Sequence, residues 1–322
     1  MSARSARLAA LLILVVLLGS ALPGSASAAE PEKPLPVPYG FLTSAVLAGL
    51  QIDADPPGAN DWSCQPSADH PEPVVLVHGL GGNKATNWPT YAPLLHNEGY
   101  CVFALTYGTS DLAPEQFRNV FGGFTAIEDS AEELKTFVAE VLAATGADKV
   151  DILGHSEGTV MPNYYAKFLG GDQFIDDYVS LAPLWHGTNP AGLATLSQLG
   201  TPYGFTPAMF PLFSEFFASG PQLLTGSDFF TKMRSGGTPA VPGITYTNIV
   251  TKYDELVVPY TSGIEPGMTN HVVQKYCFLD LGEHFAIASD PVAAQLVLNA
   301  LDPANAKRPP CRAVLPFQGS VL

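Results

Sequence analysis

Residues 150–158 read VDILGHSEG, and the fold of the chain is decided there. The first four residues have the apolar character of a short buried strand, and the last five match G-x-S-x-G, with Ser156 flanked by Gly154 and Gly158. A strand that turns abruptly into a helix forces its central residue into a strained conformation. Small neighbours on either side let the two arms pass without a Cβ collision. The Ser156 hydroxyl is thereby pushed above the sheet, and a helix beginning at Glu157 points its free N–H groups at the same spot. Such a serine is a nucleophile candidate. The bare pentapeptide also occurs in loops, so the strand before it and the helix-like sequence after it carry the reading.

Upstream, Val74 to Val77 is a continuous apolar run ended by His78-Gly79-Leu80-Gly81-Gly82. A run of this kind suits a central parallel strand covered on both faces. The glycines allow close backbone approach to a ligand, so the N–H of Leu80 can pair with that of Glu157 as an oxyanion hole. A tight turn with no ligand is the bland alternative.

Strand-like and helix-like segments alternate along the rest of the chain. Helical spacing covers Trp88 to Glu98, and Cys101 to Tyr107 is a strand. Thr125 and Glu128 have capping-box spacing ahead of Ile127, Ala131, Leu134, Val138, Val141 and Leu142, which follow a 3.6-residue period to Gly146. Strands are expected at 149–154, 178–182, 244–250 and 273–279, with helices from about 157 to 169 and at 290–301. Pro162 falls inside the first of these helices, where it should cost a hydrogen bond and bend the axis. The alternation implies an α/β fold with a mostly parallel central sheet and helices on both faces.

Residues 186–242 break the pattern. They hold Glu215, Asp228, Lys232 and Arg234 as their acidic and basic residues against seven Phe, at 205, 210, 213, 216, 217, 229 and 230. So apolar an insertion between strands is either an extra core layer or a cap over a greasy pocket, and its position favours the cap. Helical geometry over 208–218 would put Phe210, Phe213 and Phe217 on one stripe, with Phe216 beside it, as substrate-binding residues.

The ends and the composition bound the function. Arg4 and Arg7, the apolar run Leu8 to Leu18 and the small-x-small Ala26-Ser27-Ala28 have the form of a signal peptide cleaved near Ala28, so a secreted protein is expected. Residues 29–71 are rich in Pro and Gly and read as an extended arm; the main domain is expected at 72–305, and 306–322 as a tail. Beyond the leader, 13 Lys and Arg stand against 30 Asp and Glu, a formal charge of −17 that disfavours nucleic acid and anionic membranes. No later run of about 20 apolar residues suggests stable membrane insertion, which leaves transient contact with a lipid–water interface. The four cysteines, Cys64, Cys101, Cys277 and Cys311, include no C-x-x-C pair, so two disulfides are favoured over a metal site, and no cofactor is implied. Three pairings are possible. Cys64 with Cys101 and Cys277 with Cys311 is preferred, because each closes a modest loop and the two do not interlock.

A serine hydroxyl needs a base to accept its proton, and the base needs a carboxylate to hold its tautomer. Asp254 follows the alternating strand ITYTNIVTKY, with Glu255 as its rival; His284 lies in LGEHF before the last helix. His78 and His155 belong to the two glycine turns, His70 and His186 precede the acid, and His271 lies before the expected strand. The expected set is Ser156, Asp254 and His284.

Together VVLVHGLGG, GHSEGT, the Asp254 loop and LGEHFAIASDPVAAQLVLNAL resemble the secreted class 2 lipases and esterases of bacteria, and more remotely fungal lipase B, over roughly residues 70 to 302. The resemblance implies an α/β-hydrolase fold, metal-independent ester hydrolysis, catalysis by Ser156, Asp254 and His284, and oxyanion donation by the Leu80 and Glu157 backbones. It also supports the preferred disulfide pairing. The leading expectation is therefore an enzyme hydrolysing lipid or other apolar esters. An acyltransferase or polyester depolymerase with the same residues, or a non-catalytic binding protein on this fold, are the alternatives.

Overall fold

The computed structural model describes residues 33–51, 53–110, 115–192 and 217–320. Six strands form one parallel sheet: β1 (Val74–Val77), β2 (Val102–Leu105), β3 (Val150–His155), β4 (Ile175–Leu181), β5 (Thr245–Val250) and β6 (Thr269–Val272). Their order is β2-β1-β3-β4-β5-β6. The chain runs outward from β1 to β2 and then returns to place β3 on the other side of β1. The carboxyl ends of β1 and β3 thus flank the point where the order reverses, where open α/β sheets bind their ligands.

Helix α1 (Phe41–Gly49) precedes the sheet, and between and after the strands come α2 (Lys84–Asn87), α3 (Tyr91–Asn97), α4 (Ile127–Thr145), α5 (Met161–Phe168), α6 (Ser219–Gln222), α7 (Asp228–Met233), α8 (Val273–Tyr276) and α9 (Pro291–Leu301). Alternate strand residues part into two cores. Val75, Val77, Phe103 and Ile152 pack with Ile127, Leu134, Val138 and Val141 of α4 and with Met161. Val74, Leu76, Val102 and Leu153 pack with Tyr91 and Leu95 of α3 and with Val292, Ala293 and Val297 of α9. Both faces of the central strands are therefore dry, and this is why β1 reads as an unbroken apolar run.

Local chemistry ends the elements. Gly146, at φ 71°, stops α4. Asp290 opens α9 by accepting from the N–H groups of Val292 and Ala293 at 2.7 and 2.8 Å. The cysteines are joined as Cys64–Cys101 and Cys277–Cys311. In the chain-entropy picture each bridge contributes on the order of 3 to 4 kcal/mol.

Several expectations are corrected. Residues 273–279 are not a strand: β6 lies at Thr269–Val272 and α8 follows at once. The pairing of β5 with β6 ends at Val250 and Val272, so the apolar Val273 has no ladder partner beyond it. His271 consequently sits inside a strand rather than before one. Pro162 does not bend a helix, because Ser156–Thr159 forms a separate 3₁₀ turn and α5 begins at Met161. In the first turn of a helix the missing N–H costs nothing. No capping box forms at Thr125 and Glu128. The Ile127 N–H is instead taken by Gln222 Oε1 of α6 at 2.8 Å, the Gln222 amide donates to Glu128, and Thr125 pairs with Ser130. The stretch read as an extended arm contains α1, which occupies a run free of proline between Gly40 and Leu50.

Candidate active site

The site sits at the carboxyl ends of the strands. Ser156 follows β3 directly and holds φ at 55°, a left-handed value that a non-glycine residue keeps only when its surroundings impose it. The imposing contacts are tight on both sides. A Cβ at Gly154 would strike the Gly158 carbonyl, and one at Gly158 would strike the Val77 carbonyl at the end of β1. The two glycines of the pentapeptide thus let β3 turn against β1 and lift Ser156 out of the sheet.

His284 Nε2 lies 2.9 Å from Ser156 Oγ. Its Nδ1 lies 2.9 and 3.0 Å from the two Asp254 oxygens. Asp254 is held in turn by the N–H groups of Leu256 and Val257, at 3.0 and 2.6 Å. Glu255 does not face the imidazole; its Oε2 accepts from the His284 backbone N–H at 3.2 Å. Glu283 accepts from the N–H groups of Phe285, Ala286 and Phe317 and so braces the same loop. Burial lowers the proton affinity of His284, but the Asp254 carboxylate, with Glu255 and Glu283 nearby, outweighs it and leaves the pKa above its ordinary 6.5. A ring oriented this way can take a proton at Nε2 while Asp254 stabilises the resulting charge.

The remaining glycine-turn histidines are structural. His155 Nε2 donates to the His284 carbonyl at 2.9 Å, and burial holds its pKa down to about 3. His78 Nδ1 donates to the Gly79 carbonyl, its Nε2 accepts from the Tyr107 N–H, and burial holds its pKa down to about 4. Both are neutral spacers that fix the two turns. Among the described residues, neither the Leu80 N–H nor the Glu157 N–H has a hydrogen-bond acceptor. The Glu157 side chain points the other way, fully buried, with Oε1 3.3 Å from Tyr107 Oη. Burial raises its pKa to about 8, so the carboxyl is neutral at pH 7.

A cavity of about 550 Å³ opens over Ser156. Leu80, Leu184, Phe217, Leu223, Val257 and Phe285 line it, as does Phe41 of α1. The insertion divides its labour. Phe229 and Phe230 of α7 are buried in the core, whereas Phe217 faces the cavity, 5.1 Å from the Phe124 ring. Phe217 is not helical, so the helix expected over 208–218 does not reach it; Phe210, Phe213 and Phe216 lie outside the described residues. Thr188 ties the insertion to the acid loop, its Oγ1 accepting from the Val258 N–H at 2.9 Å. Sequence reasoning missed Phe41, Thr188 and Leu223. Phe285 had a signal in its place beside His284.

Asp151, Asp176 and Asp177 have oxygens close enough together to share a metal ion, but they lie at the opposite ends of the strands from Ser156. Asp176 is already paired with Lys149 at 2.6 Å. Among the described residues no helix is long and apolar enough to cross a membrane.

The chain is similar to known proteins over different shares of its length. The triacylglycerol lipase of Burkholderia plantarii is 33% identical over 129 residues, which cover 38% of this chain and 32% of that protein. A triacylglycerol lipase of Pseudarthrobacter phenanthrenivorans is 35% identical over 101 residues, 29% of this chain and 28% of that one. The chain thus spans roughly a third of these curated relatives. Among solved structures, Aspergillus fumigatus lipase B superposes with a TM-score of 0.57 at 18% identity, over 80% of this chain and 56% of that one. Mature Bacillus licheniformis lipase BlEst2 gives 0.50 at 16%, over 80% and 96%. These two likenesses bear on the fold, which is that of the α/β-hydrolases. Residues 71–297 match the family described as lipase (class 2), and with more than half of its length inside that match the chain belongs to the class 2 lipase family.

Proposed function

We propose that the chain is an exported serine hydrolase of uncharged esters with an apolar acyl group, acting through an acyl-enzyme. Ser156 Oγ attacks the ester carbonyl while its proton passes to His284 Nε2, and Asp254 stabilises the imidazolium. The carbonyl oxygen gains the negative charge and meets the N–H groups of Leu80 and Glu157. The intermediate collapses with loss of the alcohol, which takes the proton from His284. Water then gives a proton to the same nitrogen, attacks the acyl-serine and releases the acid and the free serine.

The observation that carries this reading is the contact chain from Ser156 Oγ through the His284 ring to Asp254 at the floor of an apolar cavity. The leader at residues 1–28 and the two disulfides support export. The apolar lining and the formal charge of −15 on the whole chain favour uncharged substrates over phosphorylated or acidic ones. Labelling with a fluorophosphonate, followed by peptide mapping, is expected to modify Ser156 alone. Modification elsewhere, or none in a protein that hydrolyses p-nitrophenyl esters, overturns the mechanism. Recovery of the protein from culture medium with an N-terminus near residue 29 tests export.

A further inference from the structure

Helix α1 is built inside out. Leu42, Val46, Leu47 and Leu50, on the helix and at its C-terminal end, are 52, 56, 60 and 77% exposed, and no residue of the helix is fully buried. Phe41, Ser44, Ala45 and Ala48 are the partly covered positions, so beyond Phe41 small residues face the body and the large apolar ones face water. An ordinary surface helix does the reverse, because each large apolar side chain left in water forgoes its burial energy. Leu42, Val46 and Leu50 recur every four residues, which lines them along one side of the helix.

Phe41 connects this face to the cavity. It lines the cavity with its ring centroid 5.8 Å from that of Phe285, the neighbour of His284. The helix start is tied down by the Leu42 N–H, which donates to the Phe317 carbonyl at 3.3 Å, and the Phe317 side chain is itself 49% exposed. Leu256, on the cavity wall, adds a further exposed apolar group at 39%. The residues from Phe41 to Leu50 include no acidic or basic side chain, and the adjacent Lys84 is paired with Asp53 and Asp55.

We propose that α1 is a lipid-surface anchor: Leu42, Val46, Leu47 and Leu50 enter the outer layer of an uncharged lipid aggregate and seat the cavity mouth against it. Esters then pass from the aggregate to Ser156 without crossing water. An uncharged surface is the occupant because the helix offers no cation and the acidic chain is repelled by anionic lipid. The proposal rests on the ester-hydrolase reading and assigns that site its physical form of substrate.

The test compares the full chain with Leu42→Ser/Val46→Ser/Leu47→Ser/Leu50→Ser. Partition is measured on trioleoylglycerol droplets, phosphatidylcholine vesicles and phosphatidylglycerol vesicles, and turnover on emulsion and on dissolved p-nitrophenyl acetate. The parent is expected to favour the uncharged surfaces. The variant should lose on the order of 100-fold in partition and most of its emulsion turnover, with acetate hydrolysis unchanged, since none of the four side chains lines the cavity. Leu50→Trp provides a second reading that needs no loss of apolar surface: its emission should shift to the blue on adding droplets. Equal partition of parent and variant, preference for phosphatidylglycerol, or an unshifted tryptophan overturns the anchor. A parent dimer that the four substitutions convert to monomer assigns the face to a second copy and overturns it as well. If the parent binds droplets but hydrolyses no ester, the ester-hydrolase reading fails and the partition data still judge α1.

Discussion

The floor and the roof of the cavity are held together by different physics. The floor is made of strand ends and turns, and hydrogen bonds or close backbone contacts fix its groups: Ser156 at φ 55°, His284 between two partners, Asp254 under two N–H groups. The roof, among the described residues, is formed by parts of α1 and of the insertion, whose contribution is apolar side chains such as Phe41, Phe217 and Leu223. Directional contacts fail abruptly when one atom is removed, whereas apolar contacts fail in proportion to the area lost. Substitutions in the two regions should therefore differ in size and in kind.

The largest effect belongs to Ser156→Ala, expected to lower ester turnover on the order of 10⁶-fold with the melting temperature nearly unchanged. Turnover within tenfold of the parent would erase the distinction between floor and roof. Asp254→Asn should cost on the order of 10⁴-fold, because an amide stabilises the wrong imidazole tautomer. Glu255→Gln should cost far less, as its carboxylate accepts from the His284 backbone N–H rather than from the ring. Reversal of that order in steady-state rates would move the acid role to Glu255.

The floor also predicts a pH profile. On the proposed mechanism neutral His284 is the base, and its pKa lies above 6.5, so turnover should fall about tenfold per pH unit on an acid limb centred above that value. The sign for stability is opposite. A histidine whose folded pKa is raised contributes stability that is fully present below the unfolded value and is lost as pH rises through the folded one. Acid should thus silence the enzyme before this pair weakens the fold, and a limb centred below 6.5 would contradict the carboxylate's influence.

The roof predicts graded losses. Phe217→Ala should lower kcat/KM on long-chain p-nitrophenyl esters several-fold relative to acetate, at up to about 0.8 kcal/mol for each methylene left without contact. A uniform loss across chain lengths would reassign the ring to packing. The smallest effect on turnover is expected at the Glu157 side chain, whose readout is stability. Glu157 is pushed from 4.5 to about 8 by burial, so its charged form costs stability as pH rises from the first value to the second. Glu157→Gln should melt like the parent near pH 4.5 and gain progressively on it as pH rises, by on the order of 4 kcal/mol at pH 8 for the full shift. A gain independent of pH would point to shape rather than charge.

Floor and roof were also unequally legible. The elbow around Ser156 and the glycine turn after β1 could be read because backbone collision leaves so few residue types for those positions. Chain order singled out Asp254 and His284 as candidates, and the structure brings both side chains to Ser156. Apolar composition does not fix geometry in the same way: seven phenylalanines in the insertion did not reveal that Phe229 and Phe230 turn into the core and Phe217 toward the cavity. The strand expected at 273–279 failed for a related reason, since β6 ends where its neighbour does, and no residue of VVQKYCF announces that limit. Pro162 was misplaced because a 3₁₀ turn followed by a helix has the same sequence pattern as one longer helix. The inverted face of α1 lies between prolines at 34, 36, 38, 56 and 57, and in so proline-rich a stretch the composition reads as extended chain.

Helix α4 does not cap itself. Its first free N–H, on Ile127, is satisfied by Gln222 of α6, whose neighbours Pro221 and Leu223 line the cavity, and the same amide holds Glu128. Any displacement of α6 therefore frays the start of a nineteen-residue helix that belongs to the central core. The amide proton of Ile127 becomes a built-in gauge, whose exchange with solvent reports how often the covering segment lifts without a probe being attached to it.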